Sequence, residues 1–343
     1  MKINTNRYEL INKRKEINIG ISVLRVILSF MVVLDHLYNK KKLKKYHYIL
    51  YYHIPTFFLI SFYYTHKALT SFNIDKIKLR FERILIPYFS WCSISWILNN
   101  IYFYLLKKQC RHSFKDFFIN LLNGHIILVP LWFQNDLILL TLIIVIIIFL
   151  FKNKYIYILH FLSFLAIISQ YSGFNFDFFK KNFSSYHTLG RFTEAIPNAV
   201  IGFSLANYDL IKIMKNNRII SLYLLMILII ITRYNIFSDL KTFKYGGIRL
   251  NIAAFCIFII FYLIPFQKIN NKIFISLIIK ITNYTAGIYF THVLFGKGYL
   301  CKFLIFAKKG TLLRCIIIYI ISYCACHVGS KLSRKTKFKH LFS

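Results

Sequence analysis

Apolar residues fall in long, nearly unbroken runs along this chain, separated by short stretches rich in Lys, Arg and Asn. Leu137 to Phe151 and Ile219 to Ile231 are two such runs, and neither shows the period-two alternation of a barrel strand. A run of about 18 residues or more can cross the hydrocarbon core of a bilayer. In lipid every backbone N–H and C=O must be satisfied within the chain, which leaves a helix bundle or a closed barrel. The unbroken runs therefore predict helices. Expected spans lie at 18–38, 47–69, 84–106, 125–151, 155–172, 187–206, 217–236, 248–266, 273–295 and 311–331. The second and sixth are the weakest, being short and carrying several polar residues. The expected fold class is all-α, a polytopic transmembrane bundle of about ten spans. No connection is long enough for a folded soluble domain, and neither an internal repeat nor a low-complexity linker is evident. Residues 1–343 are expected to form a single integral-membrane domain with no appended soluble domain.

Composition agrees with this pattern. The chain is 57% hydrophobic and 16% charged, too few charges to cover a soluble surface of this length. Its mean hydropathy is +0.55. The net charge of +34 would suggest nucleic acid in a soluble protein. Here the Lys and Arg residues sit mostly in short connections, where no basic face can assemble. They are read as facing anionic headgroups, so membrane lipids are expected partners and nucleic acid is not. The positive-inside bias is weak, since Lys13, Arg14 and Lys15 precede the first span and the basic run Lys40 to Lys45 follows it; N-in and C-in is favoured. Arg25 and Asp35 interrupt the first span, and it has no small-residue cleavage pattern, so it is read as retained. The seven cysteines make no framework. Cys324 and Cys326 lie beside His327 but without a second ligand cluster, so they are read as buried thiols, and no metal is expected.

The polar residues inside apolar runs carry the chemistry. Arg25 and His36 are eleven positions apart, within about 20° of one another on a helix and about 16 Å apart along its axis. Ser29 shares their stripe. Ionisable residues inside a membrane are costly and point to function. His36 has a side chain suited to proton transfer near neutral pH. Asp35 is rotated about 100° away and faces another neighbour. Next to this reading stands the plainer one, in which Arg25 snorkels to the interface and His36 is a satisfied core residue. Arg80 and Arg83, at i and i+3 ahead of Pro87, can clamp a polyanion, although basic clusters at helix mouths are common. The fourth span holds Pro130, Trp132, Phe133, Asn135 and Asp136, an acid that needs a partner. Arg191 and Glu194 in the sixth read as an internal ion pair. The ninth carries Tyr284, Thr285, Gly287, Tyr289 and a second intramembrane histidine, His292. Together these positions predict a polar cavity within the bundle.

The ordered set resembles the membrane acyltransferase 3 family, whose members have about ten core helices and O-acylate bacterial surface polysaccharides and related glycans. Arg25 and His36 match its Arg-x10-His motif. Pro55, Phe57, Phe58 and Ser61 resemble its Phe-Phe-Ser-Gly segment, with Phe62 standing where the family usually has Gly. Arg80 and Arg83 match its Arg-x-x-Arg, Trp132-Phe133 its Trp-Phe motif, and Tyr284 to His292 its Tyr-Thr-x-Gly-Ile-Tyr-x-x-His helix. The matches span nearly the whole chain. The resemblance implies acetyl-CoA or another acyl-CoA as donor, its phosphates held by Arg80 and Arg83. It implies a polysaccharide or lipid-linked glycan as acceptor, in a bacterial plasma membrane. His36 is then the expected base, Arg25 orients the donor or offsets negative charge, and Ser61, Trp132, Asp136 and His292 support them. The alternative is a transporter or flippase for a lipid-linked saccharide, which should work without acyl-CoA and commonly carries an inverted repeat.

Overall fold

The computed structural model describes residues 18–38, 51–105, 113–123, 131–171, 186–233, 247–266, 269, 271–296, 310–333, 336 and 341–342. The basic runs Lys13 to Lys15 and Lys40 to Lys45, and Pro130, lie outside them. Among the described residues the chain is helical, with a single bridge between Tyr38 and Gly310 in place of any strand. The first three helices are α1 (Ile19–Leu37), α2 (His53–Thr70) and α3 (Ile74–Leu105). A short α4 (Phe114–Asn123) precedes α5 (Leu131–Phe151) and α6 (Tyr155–Tyr171). Then come α7 (Tyr186–Asn207), a short α8 (Leu210–Asn216), α9 (Arg218–Arg233) and α10 (Ile248–Leu263). The last are α11 (Lys272–Thr282), α12 (Thr285–Gly296) and α13 (Leu312–Ser333).

Every expected span falls on a helix, with three differences. The third begins ten residues early, because Ile74 to Arg83 continue the same helix as a charged extension of almost three turns beyond the apolar run. The ninth is two helices, α11 and α12, bent by 67° at Asn283–Tyr284. Short α4 and α8 fill connections that the apolar pattern leaves blank. Three helical stretches are long and apolar enough to cross a membrane: Ile19–Leu37, Leu131–Gln170 and Leu312–Ser333. The bent pair makes a fourth. The stretch Leu131–Gln170 holds both α5 and α6, which turn at Lys152 (φ 40°) and pack on each other.

Local chemistry sets the helix ends. Asn18 caps α1 by accepting from the Ile21 N–H at 3.0 Å, and Asn271 caps α11 through Phe274 N–H at 2.9 Å. The exposed faces are apolar. On α6, Tyr157, Phe161, Phe164 and Ile168 form an outward stripe at helical spacing; on α5 Leu139, Leu142, Ile146 and Phe149 do the same. Such large apolar faces suit lipid contact and not water. Buried apolar residues form three clusters; α1 contributes to all three, α2 to the first two and α12 to the first and third. Among the described residues α2 and α7 share an extensive contact, and Gly202 lets α7 approach the Leu59 carbonyl, where any Cβ would clash. Polar residues within the bundle pair with each other, as in the buried amide contact Asn198 Nδ2 to Asn251 Oδ1 at 2.8 Å.

Candidate active site

Helix α1 lies against α11 and α12, and α1 and α12 run in the same direction. Thr282 donates to the Ser22 carbonyl at 3.0 Å near the start of the contact. Further along, Arg25 Nη2 donates to Thr285 Oγ1 at 3.0 Å, and the Thr285 hydroxyl donates in turn to the Thr282 carbonyl at 3.0 Å. Ser29 hydrogen-bonds the Tyr319 hydroxyl of α13 at 2.8 Å. At the far end the rings of His36 and His292 face each other, with centroids 5.2 Å apart and planes tilted by 34°. The stripe read from α1 thus becomes one wall of a polar line between three helices. His36 is half-buried and His292 fully buried. His292 Nδ1 donates to the Ile288 carbonyl at 3.0 Å, so in the neutral ring the basic nitrogen is Nε2. Asp35 turns away from this line, as expected, and accepts a hydrogen bond from Tyr51.

A second group forms where α3 meets α2. Arg80 Nη2 donates to Ser61 Oγ at 2.7 Å, and its guanidinium sits 6.0 Å from the centroid of the Phe62 ring. Phe62, which takes the place of the family's usual glycine, is fully buried and serves as the face under this cation. Arg80 Nε is buried without a hydrogen-bond partner. Arg83 is exposed. The two arginines are neighbours but do not point the same way: one enters the bundle and the other reaches outward. One turn beyond Ser61 on α2, Tyr64 lies within electrostatic range of Arg25. Arg25 and Arg80 therefore approach adjacent turns of one helix.

The third group joins α5, α7 and α12. The Phe133 ring packs against Phe58 with centroids 4.6 Å apart and against Tyr289 at 5.4 Å, and Trp132 and Asp136, at i and i+4, share one face of α5 beside it. Arg191 lies 4.7 Å from the centroid of the Trp132 ring. Its Nη1 is buried without a hydrogen-bond partner, and it makes no salt bridge with Glu194 among the described residues. The ion pair expected from their spacing is replaced by this stack. Asp136 is buried to 1%, neither of its oxygens has a hydrogen-bond partner, and Arg191 is within electrostatic range. Tyr289 is within electrostatic range of Arg191, Asp136 and Asp35, and its ring lies 6.2 Å from His292.

His36, Arg25 and His292 are thus brought to one line, Ser61 and Arg80 to a second group, and Trp132 and Asp136 to a third that reaches the first through Tyr289. Arg83 stands apart. Thr285, Tyr289 and Tyr319 received no role from sequence. The i, i+3 spacing of Tyr289 and His292 marks the tyrosine as sharing the histidine's face, whereas nothing local marks Tyr319. Near the C-terminus Cys326 is buried against Thr291 and Cys324 is exposed, while His327 bonds the Tyr284 hydroxyl at 3.2 Å.

A family model described as an acyltransferase domain matches residues 18–330. No curated protein and no solved structure matches the chain.

Proposed function

The chain belongs to the acyltransferase 3 family, and from that premise we propose that it moves an acyl group, acetyl by default, from acyl-CoA to a hydroxyl of a cell-surface polysaccharide or its lipid-linked precursor. In this reading it crosses a bacterial plasma membrane about ten times. The observation that carries the proposal is the pairing of His36 with His292, 5.2 Å between rings, at one end of a line that begins at Arg25. A sugar hydroxyl is a poor nucleophile until a base takes its proton during attack. His36 accepts that proton as the hydroxyl oxygen bonds to the thioester carbonyl carbon. The C–S bond then breaks, and the departing CoA thiolate takes the proton back from the His36 imidazolium. His292, fixed by Ile288, orients His36 and shares its charge. Arg80, with Arg83 nearer the bundle mouth, binds the phosphates of CoA, a pairing that suits guanidinium forks. Arg25 offsets the negative charge that develops on the carbonyl oxygen.

The test compares glycans from the source cell with the gene intact, deleted, and carrying His36→Ala. Alkali-labile acyl esters are measured by mass spectrometry and NMR. Loss of the ester in both mutants, with the polymer still present and the variant protein normally abundant, supports the reading. Loss of surface polymer with esterification unchanged on the residual material instead supports the transporter alternative.

A further inference from the structure

A groove of about 460 Å³ lies between α6, α7 and α10, and the transfer step above makes no use of it. Its volume falls in the range of ligand sites, about 300–1,000 Å³. Ser163 and Ile167 of α6, Val200 and Ile201 of α7, and Ile252 and Phe255 of α10 form its walls. On α7 the lining runs from Pro197 to Leu205, about 12 Å along the helix. Ser163 and Ile167 adjoin the outward stripe of α6, where Tyr157, Phe161, Phe164 and Ile168 are exposed. That helix belongs to a stretch apolar enough to cross a membrane, so the groove opens toward hydrocarbon. Water finds few partners in so apolar a space, whereas an alkyl chain fills it without stranding a polar group.

One end of the groove has a different chemistry. There His160 Nε2 and Ser204 Oγ share a hydrogen bond of 2.8 Å, and Tyr208 stacks on the His160 ring with centroids 6.2 Å apart. Leu210 completes the wall. The Tyr155 hydroxyl donates to Asn207 Oδ1 at 2.6 Å, which brings the turn before α6 next to the start of α8. That junction carries the exposed Lys152 and Lys154 on one side and the exposed Lys212 on the other, with Asp209 the acid among them. An apolar slot with a basic, hydrogen-bonding mouth matches an amphiphile with one tail inside and an anionic head outside.

The lining comes from α6, α7, α8 and α10, and none of it from α1 or α12, which carry the histidine pair. A molecule held here therefore lies off the line of transfer, as a resident lipid does and a substrate does not. We propose that the groove holds one chain of an anionic glycerophospholipid, with the phosphate set against Lys154 and Lys212 at the water interface. The assignment is independent of the acyltransferase reading.

The experiment uses the full chain, stripped of lipid in detergent and titrated with phosphatidylglycerol or phosphatidylcholine of matched chains. Native mass spectrometry counts the bound lipid, and the thermal midpoint reports its effect. The wild type is expected to retain one phosphatidylglycerol, about tenfold tighter than phosphatidylcholine, and to melt higher with it. Lys154→Gln/Lys212→Gln alters only exposed side chains, and should keep the lipid but remove that preference. Ser163→Trp fills the groove, and should lose the adduct and the stabilisation together. No retained lipid on the wild type, equal retention of the two lipids, or an adduct undiminished in Ser163→Trp overturns the assignment. So does a dimer that Ser163→Trp dissociates, which would give the face to a second copy of the chain. Displacement of phosphatidylglycerol by equimolar polyprenyl phosphate also overturns it, by giving the groove to a lipid carrier.

Discussion

The contact between Arg80 and Ser61 links two separate motifs, so breaking it tests whether they hold the same end of the donor. Arg80 Nη2 donates to Ser61 Oγ at 2.7 Å, with Phe62 beneath the guanidinium. Ser61→Ala removes the acceptor and leaves the cation and its ring. A hydrogen bond to a charged group contributes about 1.5–3 kcal/mol. Part of that is recovered because the freed guanidinium can still stack on Phe62, which puts the expected loss near about 1.4 kcal/mol, or a tenfold rise in the KM for acyl-CoA. Arg80→Ala should cost more, since a phosphate contact goes with it. The double variant should then resemble Arg80→Ala alone, because Ser61 has no guanidinium left to position; the coupling in the cycle is expected at about 1 kcal/mol or above. The assay is a donor titration at fixed acceptor concentration with the protein in nanodiscs. Additive effects, or a change confined to the acceptor KM, would refute the view that Ser61 acts by aiming Arg80 at the donor.

Other predictions concern the rest of the bundle. His292→Gln should lower kcat by about 10- to 100-fold with both KM values little changed, less than the loss from His36→Ala, as read in steady-state kinetics. Gly287→Ala places a Cβ 2.5 Å from the Phe342 carbonyl oxygen and 2.7 Å from Cys326 Sγ. It should destabilise by about 1–3 kcal/mol, measured as a lowered thermal midpoint. Deleting Leu341 to Ser343 should lower the midpoint on its own, through loss of the Trp91 Nε1 bond to the Leu341 carbonyl and of the packed Phe342 ring. It should also reduce the further cost of Gly287→Ala. Asn198→Ala leaves the buried Asn251 amide unmatched and should cost about 1–3 kcal/mol, with the Asn198→Ala/Asn251→Ala double variant costing less than the sum.

Much of the fold was legible because an apolar run records the part of a helix that meets lipid. For that reason the centres of the helices agree with the runs and their ends do not. Ile74 to Arg83 are helical although charged, since a helix extends past the hydrocarbon wherever its backbone bonds continue. The reverse holds at Asn283–Tyr284, where one apolar run covers a 67° bend. Apolarity carries no information on helix direction. Local turn chemistry does: the Asn283 N–H closes the end of α11 on the Ile279 carbonyl, and α12 starts anew.

The site was legible to the extent that one helix face contains it. Arg25, Ser29 and His36 share a stripe by spacing alone, and the structure keeps it. Spacing says which residues of a helix look the same way, but not what they look at. Arg191 and Glu194 satisfy the geometry of an ion pair, and Arg191 lies instead on Trp132, a residue of another helix. The same limit hid the partners of Arg25, His36 and Arg80, which lie 260, 256 and 19 residues away in sequence. Once these partners are known, the order of charges along the bundle becomes an argument about substrate placement. Arg25 and Arg80 approach Ser61 and Tyr64 in the middle of α2, next to the basic start of α3. His36 and His292 lie about 16 Å further along α1. In the proposed reading, a polyanionic donor binds at the arginine end and extends its thioester toward the histidines.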